Sequence, residues 1–126
     1  MTFYLTTPYT RRWVVANSQP EARSLPVDIR EEEDAYTLTA FVPGLTADEL
    51  NIQILDDTLS IEGEYKQSDE QYVLNELPWG AFRRTLRLGT ELDADKAEAR
   101  IDNGILTLWL PKAESARPKV IKVAAN

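Results

Sequence analysis

The pair Asn103-Gly104, set inside the stretch Ala99 to Pro111, constrains this chain more than any other feature. Both residues tolerate the positive φ that a two-residue type I′ turn requires, and the apolar residues on either side make the stretch a β-hairpin. Beyond the turn, Leu106, Leu108 and Leu110 fall on one face of an extended strand, while Ile105, Thr107 and Trp109 fall on the other. The first face is uniformly apolar and belongs in a core; the second is mixed and only partly covered. Pro111, which has no N–H to give to a ladder, closes the strand.

The same period of two recurs along most of the chain. Val27 and Ile29 alternate with Asp28 and Arg30 in a first strand from Leu25, introduced by Pro26. The run Glu31 to Asp34 reads as a solvated turn, because it lacks the ligand spacing and glycine bend of a calcium loop. Tyr36, Leu38, Ala40 and Val42 line one face of a second strand, which stops at the turn pair Pro43-Gly44. Thr46 and Glu49 have capping-box spacing, so a single helical turn carries the chain to a second sheet. Leu50, Ile52 and Ile54 form a third strand, Asp56-Asp57 a tight reversal whose type stays open, and Leu59 to Gly63 a fourth.

Phe82, Arg84, Leu86 and Leu88 face one way along the next strand, with Arg83, Thr85 and Arg87 opposite. Arg84 is the odd member of an apolar row and needs a carboxylate or carbonyls to satisfy its donors. Leu92 to Lys96 makes a short turn, and Ala97, Ala99 and Ile101 lead into the hairpin. The small alanine side chains leave a shallow apolar trough between this edge strand and the edge strand of Ile52 and Ile54.

About eight short strands separated by turn signals, with almost no helix, describe an all-β chain folded as an immunoglobulin-like β-sandwich. A length of 126 residues fits one domain. No apolar run approaches a membrane span, and the N-terminus lacks the basic start and apolar stretch of a secretory signal, so a cytoplasmic location is expected. The absence of cysteine excludes disulfides and thiolate chemistry; the absence of histidine removes the usual general base and the commonest metal ligand. A net charge of −7 argues against nucleic-acid binding, and the one dense basic group, Arg83, Arg84 and Arg87, falls in a strand pattern that expects carboxylate partners. The five glycines are scattered and no G-x-x-x-x-G-K run exists, so no nucleotide-driven cycle, cofactor or metal is indicated. The carboxylate pairs Asp56-Asp57 and Asp48-Glu49 sit in turns with no positioning motif around them, which leaves an enzyme reading without support.

Four segments lack the strand period. Residues 1–15 carry Phe3, Tyr4, Leu5, Tyr9 and Trp13, an aromatic beginning that either packs on its own domain or serves as a sticky arm. Residues 17–24 read as a linker. Lys66 to Gly80 is a long polar connection with a small apolar island, Tyr72, Val73 and Leu74, that fits neither a linker nor a core. After Pro111 comes a charged linker, Lys112 to Lys119, and then Ile121 and Val123, whose side chains point the same way in an extended chain.

The run Ala-x-Ile-x-Asn-Gly-Ile-Leu at Ala99 to Leu106 resembles the A-x-x-x-N-G-x-L signature of the small heat shock proteins, the α-crystallin domain family, bacterial or archaeal type. The rest of the chain matches in order from about Leu25 to Val123. The resemblance implies an arm and linker at residues 1–24, an α-crystallin-type sandwich at 25–112 and a C-terminal extension at 113–126. It implies that the island Tyr72 to Asn75 crosses to the first strand, around Val27 and Ile29, of a second subunit, the alternative being a loop folded over its own domain. It places Arg84, in the pattern Phe82 to Leu88, at the dimer interface, with Gly89 departing from a common proline and loosening the turn. Ile121 and Val123 match the family's I-x-I/V tail motif, and Ile52, Ile54, Ala97 and Ala99 form the groove that takes it. Phe3, Tyr4, Leu5, Tyr9 and Trp13 become a flexible client-binding arm. The implied function is that of an ATP-independent chaperone that oligomerises from homodimers and binds partly unfolded proteins; the rival is a monomeric co-chaperone or adaptor module with one specific partner.

Overall fold

A computed structural model gives the structure of residues 22–125. Among these described residues, eight strands form two four-stranded sheets packed face to face, the arrangement of an immunoglobulin-like sandwich. They are β1 (Arg23–Ser24), β2 (Val27–Glu31), β3 (Ala35–Phe41), β4 (Leu50–Leu55), β5 (Thr58–Tyr65), β6 (Gly80–Arg87), β7 (Glu98–Asp102) and β8 (Ile105–Pro111). One sheet has the order β1-β6-β5-β4 and the other β2-β3-β8-β7.

The hairpin β7–β8 closes at Asp102 opposite Ile105, with Asn103 at φ 52° and Gly104 at φ 79°, both in the left-handed region that a type I′ turn needs. Leu106, Leu108 and Leu110 are buried, as are Tyr36, Leu38 and Ala40 of the paired strand β3 and Val42 just after it. Leu59 and Ile61 of β5 and Phe82 of β6 meet them from the other sheet, so the alternation of each strand supplies one inner face. Trp109 and Ile105 are about 40% exposed on the outer face, and Phe41 beside Ile105 is more so.

The chain changes sheets between β3 and β4 through a 3-10 turn at Ala47–Glu49. The Glu49 carboxylate accepts the Thr46 backbone N–H at 2.9 Å, and the Glu49 N–H donates to the Thr46 carbonyl at 3.0 Å, which satisfies the orphan groups of so short an element. At the next reversal Asp56 alone of the two aspartates has positive φ, 56°, so this turn differs from the one at Asn103-Gly104.

Several sequence expectations are corrected. The end of the expected linker is a strand: Arg23 and Ser24 pair in parallel with Phe82 and Arg83. The fourth strand does not stop at Gly63 but runs to Tyr65, because Phe82 and Leu50 from the flanking strands cover the glycine. Glu31 ends β2 rather than opening a solvated turn, and Lys112 is buried rather than part of a charged linker. Gly89 does not loosen its turn. It stands at φ 79°, a conformation closed to proline, and the neighbouring Leu88 and Leu92 N–H groups donate to Asp57 and Asp56 carbonyls at 2.8 and 2.9 Å.

Candidate assembly and client-binding surfaces

The trough expected from the alanines is present. Ile52 and Ile54 project from β4, the last strand of one sheet; Ala99 lies on β7, the last strand of the other, with Ala97 just before it. Together with Ala94, Glu98, Leu108 and Leu110 they line one open groove of about 290 Å³. Bulky residues at 97 and 99 would close the seam between the sheets; alanines leave it apolar and accessible. Leu108 and Leu110, both buried, form a floor that spacing did not reveal, since strand alternation assigns them to the core without saying that a groove lies over them.

The two elements expected to pair between subunits stand apart in the single chain. Strand β2 lies at the edge of its sheet, so among the described residues one side of its backbone ladder has no partner strand. Val27 packs against the core, and Ile29 is more exposed. The island Tyr72, Val73 and Leu74 forms no strand, and Val73 and Leu74 are largely exposed. Its one local anchor among the described residues is a hydrogen bond of 2.6 Å between the Tyr72 hydroxyl and Ser68 Oγ.

Arg84 finds a carbonyl rather than a carboxylate: Nη1 donates to the Leu25 carbonyl at 3.1 Å. Leu25 lies between β1 and β2, where the chain passes from one sheet to the other, so Arg84 ties down that crossover. The neighbouring arginines meet the carboxylates their strand face called for. Arg83 Nε lies 3.2 Å from Glu62 and Arg87 Nε 3.0 Å from Asp57. The hydrogen bond from Arg87 holds the Asp57 carboxyl below its usual pKa. Asp57 and Glu49 therefore have structural partners.

Lys112 was missed by the sequence reading. Its Nζ donates to Glu31 Oε2 at 2.8 Å and lies 5.2 Å from the centre of the Tyr36 ring. The hydrogen bond to Lys112 lowers the Glu31 pKa, and the same bond raises that of Lys112. The signal was long-range: Ala35 pairs with Pro111, which brings the acidic run after β2 beside the residue after β8.

Ile121 and Val123 are 83% and 87% exposed, so the tail lies outside its own groove. The arm residues Phe3, Tyr4, Leu5, Tyr9 and Trp13 fall outside the described residues. Among the described residues no group of three His, Cys, Asp or Glu side chains is placed to hold a metal ion, and no helix is long and apolar enough to cross a membrane.

Comparison with known proteins agrees with this architecture. A family model described as the Hsp20/alpha crystallin family matches residues 28–126. The 18 kDa antigen 2 of Mycobacterium avium is 35% identical over 104 residues, covering 81% of this chain and 75% of the relative. The small heat shock protein C4 of Rickettsia felis is 34% identical over 101 residues, covering 77% of this chain and 62% of the relative. Among solved structures, a small heat-shock protein from Xylella fastidiosa superposes with a TM-score of 0.62 at 31% identity, covering 80% of this chain and 96% of that one. With the Asn-Gly hairpin, the two-sheet order and the alanine-lined groove in place, the chain belongs to the Hsp20/alpha crystallin family of small heat shock proteins.

Proposed function

We propose that this protein is an ATP-independent holdase, a homo-oligomer of strand-exchanged dimers that keeps partly unfolded proteins from aggregating. The observation that carries the dimer is the coincidence of an edge strand, β2, with an exposed apolar island that has no partner strand among the described residues. Exchange of Tyr72 to Leu74 onto the β2 of a second subunit satisfies the open ladder and covers the island in one step. Arg84, anchored at the β1–β2 crossover, then holds the receiving edge in place.

Higher assembly follows from the groove. Burying Ile121 and Val123 of one subunit between Ile52, Ile54, Ala97 and Ala99 of another gains about 3–6 kcal/mol gross. Ordering the tail takes back most of it, so one tail is a weak latch of roughly millimolar affinity. Many such latches in a closed assembly act together through effective concentration while each still opens. Opened grooves, and the arm residues Phe3, Tyr4, Leu5, Tyr9 and Trp13, then supply apolar surface to clients. The proposed organisation is arm, sandwich and tail, with Arg23 and Ser24 joined to the sandwich.

The test is light scattering from a heat-labile client at its unfolding temperature, without ATP, with and without the protein. Suppression at near-stoichiometric ratios is the expected result. No suppression at any ratio, from a folded protein of confirmed oligomeric mass, would overturn the holdase reading; a monomeric mass would favour an adaptor.

A further inference from the structure

The root of the tail is fixed by more contacts than a flexible linker needs. The Pro111 carbonyl accepts the Asp93 N–H at 2.8 Å, the Lys112 N–H donates to the Asp34 carbonyl at 2.9 Å, and the Ala113 N–H donates to the Glu91 carbonyl at 2.8 Å. The chain then folds back in a 3-10 turn, Glu114–Ala116, and Arg117 Nε donates to the Lys112 carbonyl at 3.1 Å. Lys112 is thereby held at three points: its N–H by Asp34, its carbonyl by Arg117, and its ammonium by Glu31 against the Tyr36 ring. Arg117 stands at φ −79° and ψ 150°, the extended conformation that the following Pro118 favours, so the chain leaves the turn along a stiff path.

What remains free is short. Ile121 lies four residues beyond Arg117, a reach of at most about 14 Å. Tilting a lever of that length by about 40° at its root moves its tip by about 10 Å, roughly the distance between two packed sheets. A neighbouring groove that is in reach for one launch direction is out of reach for another.

We propose that Lys112 and Arg117 form an elbow that fixes the direction in which the tail leaves the domain, and thereby select which neighbouring groove it meets and the size of the assembly. They are positioning residues: neither enters the groove, and the inference rests on the tail-docking reading above. Through Glu31, the last residue of β2, the elbow is also joined to the strand proposed to receive the partner's island. The tail root and the dimer edge therefore share one ion pair.

The chain has no cysteine, so cysteines introduced at Arg100, exposed on β7, and Lys119 give two unique sites for spin labels. Distances are measured by double electron–electron resonance in full-length protein diluted with unlabelled subunits, and the oligomer mass is read on the same samples by native mass spectrometry. With the elbow intact, Lys119 is two residues from a fixed point; with it lost, seven residues from Lys112 are free. Chain statistics then broaden the distance distribution about twofold. The combined Lys112→Met and Arg117→Met substitutions are expected to give that broadening and a redistribution of oligomer mass, while Lys112→Arg keeps the parental width. A distribution already broad in the parent, or unchanged in the double variant, would overturn the elbow. The control Ile121→Ser with Val123→Ser separates the two readings. If that control shifts the mass and the elbow variant broadens the distances without shifting it, the role in selecting assembly size is overturned. If the control itself leaves the mass unchanged, tail docking fails and the assembly role fails with it.

Discussion

Replacing Gly63 with alanine tests how tightly the sheet carrying the groove is packed. Gly63 lies inside β5, opposite Leu50 on β4 and Phe82 on β6. A Cβ at this position would stand 2.6 Å from Phe82 Cζ, 3.2 Å from Phe82 Cε1 and 3.0 Å from Leu50 Cδ2. The Phe82 side chain is buried, with its ring centre 5.5 Å from that of Tyr65, so it has little room to swing aside. Overpacking of this kind costs about 1–3 kcal/mol. Alanine also narrows the unfolded ensemble, which returns about 0.4–1 kcal/mol. The difference is a destabilisation of about 1–2 kcal/mol, and at about 4–8 °C per kcal/mol for a domain of this size the melting temperature falls by about 5–15 °C. Thermal melts followed by circular dichroism must be run at one subunit concentration, because assembly itself raises the apparent stability. Adding Phe82→Leu to the alanine variant makes room for the new methyl, so the two substitutions together cost less than the sum of each alone. A Gly63→Ala protein that melts at or above the parental temperature would refute the packing argument.

Three further outcomes are expected. Ile121→Ser combined with Val123→Ser removes about 3–6 kcal/mol of gross burial per tail, so native mass spectra shift toward dimers while the far-UV circular dichroism spectrum of the folded domain is kept; an unchanged mass distribution would rule out docking. Gly104→Ala forces a side chain into φ 79° with its Cβ 3.1 Å from Pro43 Cα, and a loss of at least about 1–2 kcal/mol in denaturant melts is expected, a neutral result counting against the turn geometry. The third concerns acid. Because Arg87 depresses the folded-state pKa of Asp57, the pair contributes stability above the unfolded value of about 3.9 and loses it as pH falls through the lower folded value. Arg87 is largely exposed, so Asp57→Asn changes stability only slightly at pH 7 and flattens the decline below about pH 4. A variant that declines as steeply as the parent in melts across that range would show that the pair carries none of the acid sensitivity.

Much of the fold was legible because its signals are local. Alternation placed Tyr36, Leu38 and Ala40 on the same inner face as Leu106, Leu108 and Leu110, and Asn103-Gly104 supplied the turn that pairs β7 with β8. The groove was legible from side-chain size, since Ala97 and Ala99 cannot fill a seam that larger residues would close. What escaped depends on pairing across the chain. Strand β1 consists of two polar residues whose strand state exists only against Phe82 and Arg83. Gly63 looked like a stop because a glycine usually is one, and only the Phe82 ring across the ladder explains its place inside β5. Lys112 looked like the start of a solvated linker because its partner, Glu31, is far away in sequence and belongs to an acidic run.

The strand order also explains why the groove lies where it does. Strands β1 and β2 stand at the edge of their respective sheets and are joined by Leu25 and Pro26, so the chain itself bridges the seam on that side. Leu25 is buried there, and its carbonyl is held by Arg84. The opposite edges are β4 and β7, which are far apart in sequence. Among the described residues no connection closes that seam, and it is faced by isoleucines on one side and alanines on the other. An apolar segment from outside the sandwich is therefore the natural cover for it. The closed seam, by contrast, lies beside the edge strand β2, where Arg84 holds the Leu25 carbonyl. The two proposed contacts thus share one topological basis: the chain crosses between its sheets at one side, beside the edge proposed to take a partner strand, and leaves the other side open, where the tail is proposed to dock.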